Sequence, residues 1–473
     1  MEVAALSSPP TTGSKSSLSW RAALLVTAAL LSLPVLVIIA SLALPFSDTW
    51  GHIAENVLWD YTRNSLLLAL GVSLGTLLLG VSSAWLTAMC EFPGRRFFSW
   101  ALLLPMAMPA YIIAYTYTGL LDFAGPLQTA LRDFFNWGYG DYYFPSIRSL
   151  GGAVCMLSLV LYPYVYLLAR VAFEAQSTAL LEASRSLGRG PWRTLFEVAL
   201  PMARPAIAAG LSLALMEALA DYGTVEYFGV SVFTTGIFRT WYGLGELQTA
   251  AQLAAFLLLF VFALLVLERA SRRNMRFHHS TTRQQPPRLH LHGWRGISCF
   301  LLAALILSLG FLLPAGQLLW WATGHWQGIF DWAFLVLVGN SFLLAAMAAL
   351  CCLLVALLLG YGKRLHPGPL ENSAVRVSSM GYAVPGTVIA VGVLLPLAWL
   401  DNAVDSLMRT HFGFSTGLLL SGTLFALVFA YTVRYLSVAL QSVEAGLARI
   451  RPSIDESARS LGSSPGRVLR RIH

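Results

Sequence analysis

The chain alternates long apolar runs with short polar breaks. Runs free of Asp, Glu, Lys and Arg cover residues 22–47, 64–90, 97–121, 149–169, 247–267, 296–330, 332–362, 377–400 and 410–433. Each has at least 21 residues, and a helix needs about 20 apolar residues to cross a bilayer. A tenth segment, 205–220, is interrupted only by Glu217. The pattern predicts an all-α polytopic membrane protein with ten spans, preceded by a polar cytoplasmic tail over residues 1–21. Composition agrees: of 473 residues, 57% are apolar and 11% charged, against about 45–50% and 25% in soluble domains. A cytosolic enzyme, a secreted disulfide scaffold and a disordered regulator are excluded.

Charge changes the picture by giving a direction. If the N-terminus is cytoplasmic and successive loops alternate, 26 of the 31 Lys and Arg fall inside, including the seven from Arg434 onward. The other five are Arg63, Arg132, Arg148, Arg239 and Arg409. This is the positive-inside bias. It accounts for the net charge of +8 without nucleic acid, for which no basic stripe interleaved with aromatics exists. The five cysteines include no CxxC pair and read as small apolar residues.

A repeat organises the chain. Glu182-Ala-Ser-Arg-Ser-Leu-Gly188-Arg-Gly-Pro191 recurs as Glu456-Ser-Ala-Arg-Ser-Leu-Gly462-Ser-Ser-Pro465, and eight of 18 positions match between 182–199 and 456–473. The offset is 274 here. At 276, Asn64-Ser65 matches Asn340-Ser341, and Ala107, Pro109, Ile113 and Ala114 match Ala383, Pro385, Ile389 and Ala390. Two tandem halves are expected, 22–268 and 296–473, joined by a cytoplasmic linker over 269–295. That linker region carries His278, His279, His290 and His292 without the Cys or carboxylate spacing of a metal site. Shifting Glu268 by 274 places the matching end at 542. The chain is therefore expected to be a fragment or truncated product carrying ten of twelve spans, with its second half ending inside the repeated motif.

That motif, within a loop over 174–201, reads as two short helices with a break. Gly188 suits a helix end and Pro191 the first turn of the next helix. In the second helix Trp192, Leu195, Phe196 and Ala199 are expected to share an apolar face, with Arg193, Thr194 and Glu197 pointing elsewhere. Leu200-Pro201 is expected to end it. An amphipathic helix of this kind suits a groove on a partner protein. Recurrence in both halves weighs against an ordinary surface helix and implies a symmetric cytoplasmic partner.

The pattern Glu182-Ala183-Ser184, Gly188 and Leu200-Pro201, repeated as Glu456-Ser457-Ala458 and Gly462, resembles the EAA loop of inner-membrane permeases of binding-protein-dependent ABC importers. The resemblance implies the type I importer fold with six helices per half. It also implies two ATP-binding subunits docked on the loops, a periplasmic binding protein, and a multi-pass location in the bacterial inner membrane. ATP and Mg would reside on the partner ATPase, with no cofactor bound by this chain. The absence of a GxxxxGK[ST] loop agrees that ATP hydrolysis belongs elsewhere. Glu182, Ala183, Ser184, Gly188, Pro191, Trp192, Leu195, Leu200, Pro201, Glu456, Ser457, Gly462 and Pro465 would carry the coupling. Gly466, Arg470 and His473 stand where the first copy has Trp192, Phe196 and Ala199, so the two contacts are expected to be unequal.

The segments Leu104-Pro105 to Tyr117, Gly125 to Gln128, and Asp221 to Ile237 resemble the ferric-iron group of fused permeases. Thiamine and phosphonate-type importers share the scaffold and remain alternatives. An ion-gradient-driven transporter is a rival of another class, which inverted repeats would mark; this repeat reads as parallel. Ferric iron favours oxygen ligands. Glu217, the acid placed within a span, and Asp221, one turn on, are candidate pathway residues, joined by Tyr115, Tyr117 and Tyr222. Bundle hydrogen bonding for the acids and an interfacial belt for the tyrosines are the structural alternatives.

Overall fold

A computed structural model of the chain describes residues 12–138, 140–176, 182, 184, 186–272, 288–325 and 331–471. Among them, eight helices are long and apolar enough to cross a membrane: α1 (Ser19–Ser41), α2 (Leu58–Met89), α3 (Leu150–Glu174), α4 (Trp192–Ala220), α5 (Trp294–Gly324), α6 (Trp332–Leu365), α7 (Gly386–Phe412) and α8 (Leu424–Ala448). Arg95–Ala107 and Ala110–Phe135, bent by 91° at their junction, make a ninth if taken as one span. The shorter apolar helix Leu247–Ala263 occupies the place of the remaining expected run. The protein is all-α and polytopic.

Two boundaries differ from those read off the charge-free runs. The expected spans 377–400 and 410–433 are displaced to α7 and α8. Residues Ser379–Ala383 form a 3-10 turn before Pro385 and Gly386 start α7. Gly413, with φ of +74°, ends it. The loop that follows is held by carboxylates of α7. Asp401 accepts the amides of Leu419, Leu420 and Ser421, and Asp405 those of Thr416 and Gly417. A charge-free run records no caps, so it misplaced these ends. In consequence Arg434, expected at the cytoplasmic end of a span, lies inside α8.

The chain divides into two compact units, residues 1–45 with 331–473, and residues 46–330. They cut across the halves read from the repeat. α1 belongs with α6, α7 and α8, while α5 belongs with α2, α3 and α4.

In the unit 46–330, α2, α3 and α4 approach closely through small residues, the usual device of packed membrane helices. A Cβ on Gly80 would lie 2.7 Å from Val165 Cβ, and one on Gly210 would lie 2.7 Å from Val165 Cα. α3 also fixes the bent segment. Tyr162 donates to Leu102 O at 2.8 Å and Tyr166 to Ser99 O at 2.8 Å. The Asn64-Ser65 pair anchors a distant loop: Asn64 donates to Ser231 O at 2.9 Å and Ser65 Oγ accepts the Phe233 amide at 3.2 Å. The end of the linker is held too, because Leu289–His290 pairs in parallel with Cys90–Glu91. His278 and His279 lie outside the described residues, among which no group of His, Cys, Asp and Glu could hold a metal.

In the other unit, a Cβ on Gly362 would lie 2.9 Å from Leu24 Cδ1, and one on Gly392 would lie 2.5 Å from Pro34 O. Trp20 meets Tyr361 edge-on at 5.3 Å. Arg21 pairs with Glu371 at 2.6 Å. The Glu371 carboxyl is held below its ordinary value by its own backbone amide and by Arg21, against some desolvation.

Candidate functional site

The repeated motif builds the same turn twice. Gly188 has φ of +75° and Gly462 φ of +80°, a region that suits glycine because it has no Cβ. The amide of Arg189 donates to Ser184 O at 3.2 Å, and that of Ser463 to Ala458 O at 3.0 Å. These six-residue closures, with a left-handed glycine, satisfy carbonyls left open at a helix end. The next helix opens alike in both copies, with Thr194 N donating to Gly190 O and Val468 N to Ser464 O, each at 3.0 Å. Glu182, Glu456 and Ser457 are exposed on these elements. Ala183 lies outside the described residues.

Leu200-Pro201 does not end the first copy's second helix, contrary to the sequence reading. The helix continues as α4 through a π turn at Leu195–Ala199, where the Leu200 amide bonds to Leu195 O. Proline has no N–H and its ring crowds the carbonyl four residues back. A widened turn absorbs that conflict without breaking the rod.

The expected apolar face is also two faces. Leu195 and Ala199 are buried, whereas Trp192 is 71% and Phe196 60% exposed. Residues four apart share a row on a helix, so 195 and 199 enter the core while 192 and 196 lie beside them. Trp192 and Phe196 stack with ring centroids 6.5 Å apart, and Glu197 pairs with Arg189. Thr194, placed off the buried side from sequence, is buried and hydrogen-bonds Ser184 Oγ at 3.1 Å. The second copy has Ala458 and Val468 at these places. It is fastened differently: Tyr361 donates to Pro465 O at 2.9 Å, and Arg364 pairs with the buried Asp455 at 2.7 Å.

The candidate pathway residues are dispersed in their roles. Tyr117 is buried and donates to Leu309 O at 2.6 Å. Tyr115 is exposed and packs edge-on against Trp321 at 5.5 Å and Tyr227 at 6.1 Å. The Tyr222 ring lies 4.1 Å from that of Phe238. Both Asp221 oxygens accept the Thr224 amide at 3.1 Å, a cap for the short helix Gly223–Tyr227. Burial pushes the Asp221 carboxyl up, Thr224 draws it back, and the charge of Glu217 raises it further. Glu217 and Asp221 are therefore electrostatic neighbours, while Tyr117 already spends its hydroxyl on the bundle. Two acids missed from sequence, Asp401 and Asp405, are loop caps; their signal was acidic residues four apart before a Gly- and Ser-rich break.

A family model for "Binding-protein-dependent transport system inner membrane component" matches residues 76–277. The molybdenum transport system permease protein ModB of Escherichia coli K12 is 30% identical over 176 residues, covering 36% of this chain and 74% of that protein. This chain belongs to the binding-protein-dependent inner-membrane components. The Fe(3+)-transport system permease protein FbpB 2 of Haemophilus influenzae is 25% identical over 421 residues, 87% of this chain and 75% of that one. A bacterial ABC transporter that imports the acidic polysaccharide alginate aligns with a TM-score of 0.42 and 17% identity, over 51% of this chain and 90% of that chain. As an ABC importer permease, the protein is a multi-pass inner-membrane component, and the ion-gradient-driven alternative gives way.

Proposed function

We propose that this importer permease passes ferric iron, delivered by a periplasmic binding protein, to the cytoplasm by alternating access. The observation that carries the reading is the similarity to a ferric-iron permease over 87% of the chain. Two ATP-binding subunits dock on residues 182–201 and 456–471 from the cytoplasm, where the N-terminus also lies. Hydrolysis, with its ATP and Mg, belongs to those subunits, and this chain holds no cofactor. The twin Gly188 and Gly462 turns support this, because one closure made twice suits two copies of one partner. Glu217 and Asp221 line the iron route, with Tyr115 and Tyr222 beside them.

Membrane vesicles holding the permease with the ATP-binding subunit and binding protein encoded beside it provide the test. ATP-dependent accumulation of radioactive ferric iron is expected, reduced several-fold by Glu217→Gln with Asp221→Asn. Accumulation of thiamine or a phosphonate in place of iron would sink the substrate assignment. Unchanged uptake in the double variant would remove the two acids from the route.

A further inference from the structure

We propose that Tyr361 is a positioning residue that joins the second ATPase-facing turn to α6 and α1, so that ATP-driven movement of the turn reaches the membrane helices, and that Trp85 holds the same place in the first repeat. The inference rests on the importer reading and deepens it by naming the side chains that carry the stroke. The cytoplasmic end of α6 is a junction of several segments. A Cβ on Gly360 would lie 3.2 Å from Val443 Cγ1 of α8. Lys363 pairs with Glu444 at 2.7 Å, also on α8. Arg364 donates to Ile450 O at 2.8 Å and pairs with Asp455 on the helix Pro452–Ser460.

Among these residues, Tyr361 is gripped from two directions. Its hydroxyl donates to the carbonyl of Pro465, where the helix Pro465–Arg471 begins, and Trp20 of α1 meets its ring edge-on. The side chain is buried, and a close-packed interior yields little and transmits displacement. Gly362, the next residue, has Leu24 of α1 against it. A shift of the turn at Gly462 therefore pulls on α6 and α1 together. α6 has 34 residues, about 50 Å at 1.5 Å each. That is long enough to carry a tilt from its cytoplasmic end across a hydrocarbon core about 30 Å thick.

The first repeat places an aromatic ring at the same point. The shift of 276 that relates Asn64-Ser65 to Asn340-Ser341 puts Trp85 opposite Tyr361. Trp85 is buried and lies edge-on to Phe173 at 5.6 Å. It belongs to one apolar cluster with Leu195 and Ala199, from the helix after Gly188, and with Ala303 of α5. Each repeat thus sets a buried ring between its ATPase-facing turn and the leading helix that packs in the same unit. The first does so by apolar contact. The second uses a hydroxyl on a carbonyl, which is directional and can be deleted while the ring stays in place.

The complete importer in membrane vesicles is assayed for radioactive ferric-iron uptake and ATP hydrolysis together. Tyr361→Phe keeps the ring against Trp20 and removes the bond to Pro465. Hydrolysis is expected to persist while uptake per ATP falls about five-fold, the shift that losing one net hydrogen bond gives. Trp20→Leu cuts the opposite contact and should also lower uptake per ATP, as should Trp85→Leu in the first repeat. A merely structural role would lower uptake and hydrolysis in proportion. That result, or an unchanged ratio in Tyr361→Phe, overturns the proposal, and an unchanged ratio in Trp85→Leu overturns its first-repeat part. The purified full chain gives a second readout. Hydrogen exchange of the amides in 465–471 should quicken about five-fold in Tyr361→Phe and keep the wild-type rate in Trp20→Leu. Equal exchange in wild type and Tyr361→Phe overturns the link. Should Tyr361→Phe fail to fold, Trp20→Leu decides by its uptake per ATP, and an unchanged ratio overturns the proposal. Wild-type vesicles that import nothing would defeat the importer reading instead, while the exchange experiment still decides whether Tyr361 holds the turn.

Discussion

The two copies of the repeated turn share a backbone and differ in the side chains they expose. Around Gly188 the helix presents Trp192 and Phe196, stacked and exposed, with Glu197 tied to Arg189. Around Gly462 the same positions are Gly466 and Arg470, beside Arg467 and Arg471. Their attachments to the permease differ as well. The first buries a hydroxyl pair, Ser184 with Thr194; the second buries an ion pair and a tyrosine hydrogen bond. Backbone closure is thus the shared specification, and side-chain chemistry on either side of it has been free to diverge. An aromatic pair offers affinity that salt does not screen, whereas arginines offer affinity that falls with ionic strength.

The sharpest way to break this comparison is through the ion pair. Arg364→Met takes the guanidinium away from the Asp455 carboxylate, which is 3% exposed. Removing one member of a buried pair costs about 3–5 kcal/mol, so thermal unfolding should show a large fall in stability, which the added change Asp455→Leu largely restores. No restoration would mean that the pair is not what fastens the second turn. Next are the glycines: Gly188→Val and Gly462→Val each force a β-branched residue into left-handed backbone, at about 1–2 kcal/mol or more. Both should lower ATP-driven uptake at least ten-fold while the rest of the helix content persists by circular dichroism. Full uptake in either would show that turn to be dispensable for coupling.

Smaller effects sharpen the difference between the copies. Trp192→Ala with Phe196→Ala removes exposed rings, so it should leave stability within about 0.5 kcal/mol while weakening ATPase association at every salt concentration. Arg467→Gln with Arg470→Gln should weaken it at low salt and have little effect at high salt. Identical salt profiles would erase the distinction. Within the first copy, Ser184→Ala alone leaves Thr194 without the hydroxyl it bonds, at about 1–3 kcal/mol of stability and with no expected loss of ATPase association, and Ser184→Ala with Thr194→Val should recover most of it, because removing both partners is nearly neutral. Additive losses in that cycle would show that the hydroxyls do not act as a pair.

Hydrophobic runs and the repeat made the class, the two turns and the glycines legible from sequence. Spacing alone located Gly188 and Gly462 because few residues tolerate that backbone. Three kinds of feature were not legible. The helix through Pro201 depends on a π turn that no local propensity announces. The division of the 192–199 face depends on which row meets α3, a tertiary fact. Arg434 was misassigned because runs were delimited by charge, which presupposes that charges mark ends. Asp401 and Asp405 displaced the true ends by capping a loop, and the helix then carried a cation inward.

The exchange of leading helices has a consequence for how the chain is made. α1 emerges well before the helices it joins, which begin at Trp332. At about 5–20 residues per second of synthesis, it waits roughly 15–60 seconds before its partners exist. During that interval it must persist as a lone helix in lipid, which the charge-free run 22–47 equips it to do. Its later docking closes a loop of nearly 300 residues. Only docking can complete the apolar contacts around Leu24 and Pro34, so helices translated later control the maturation of one translated well before them.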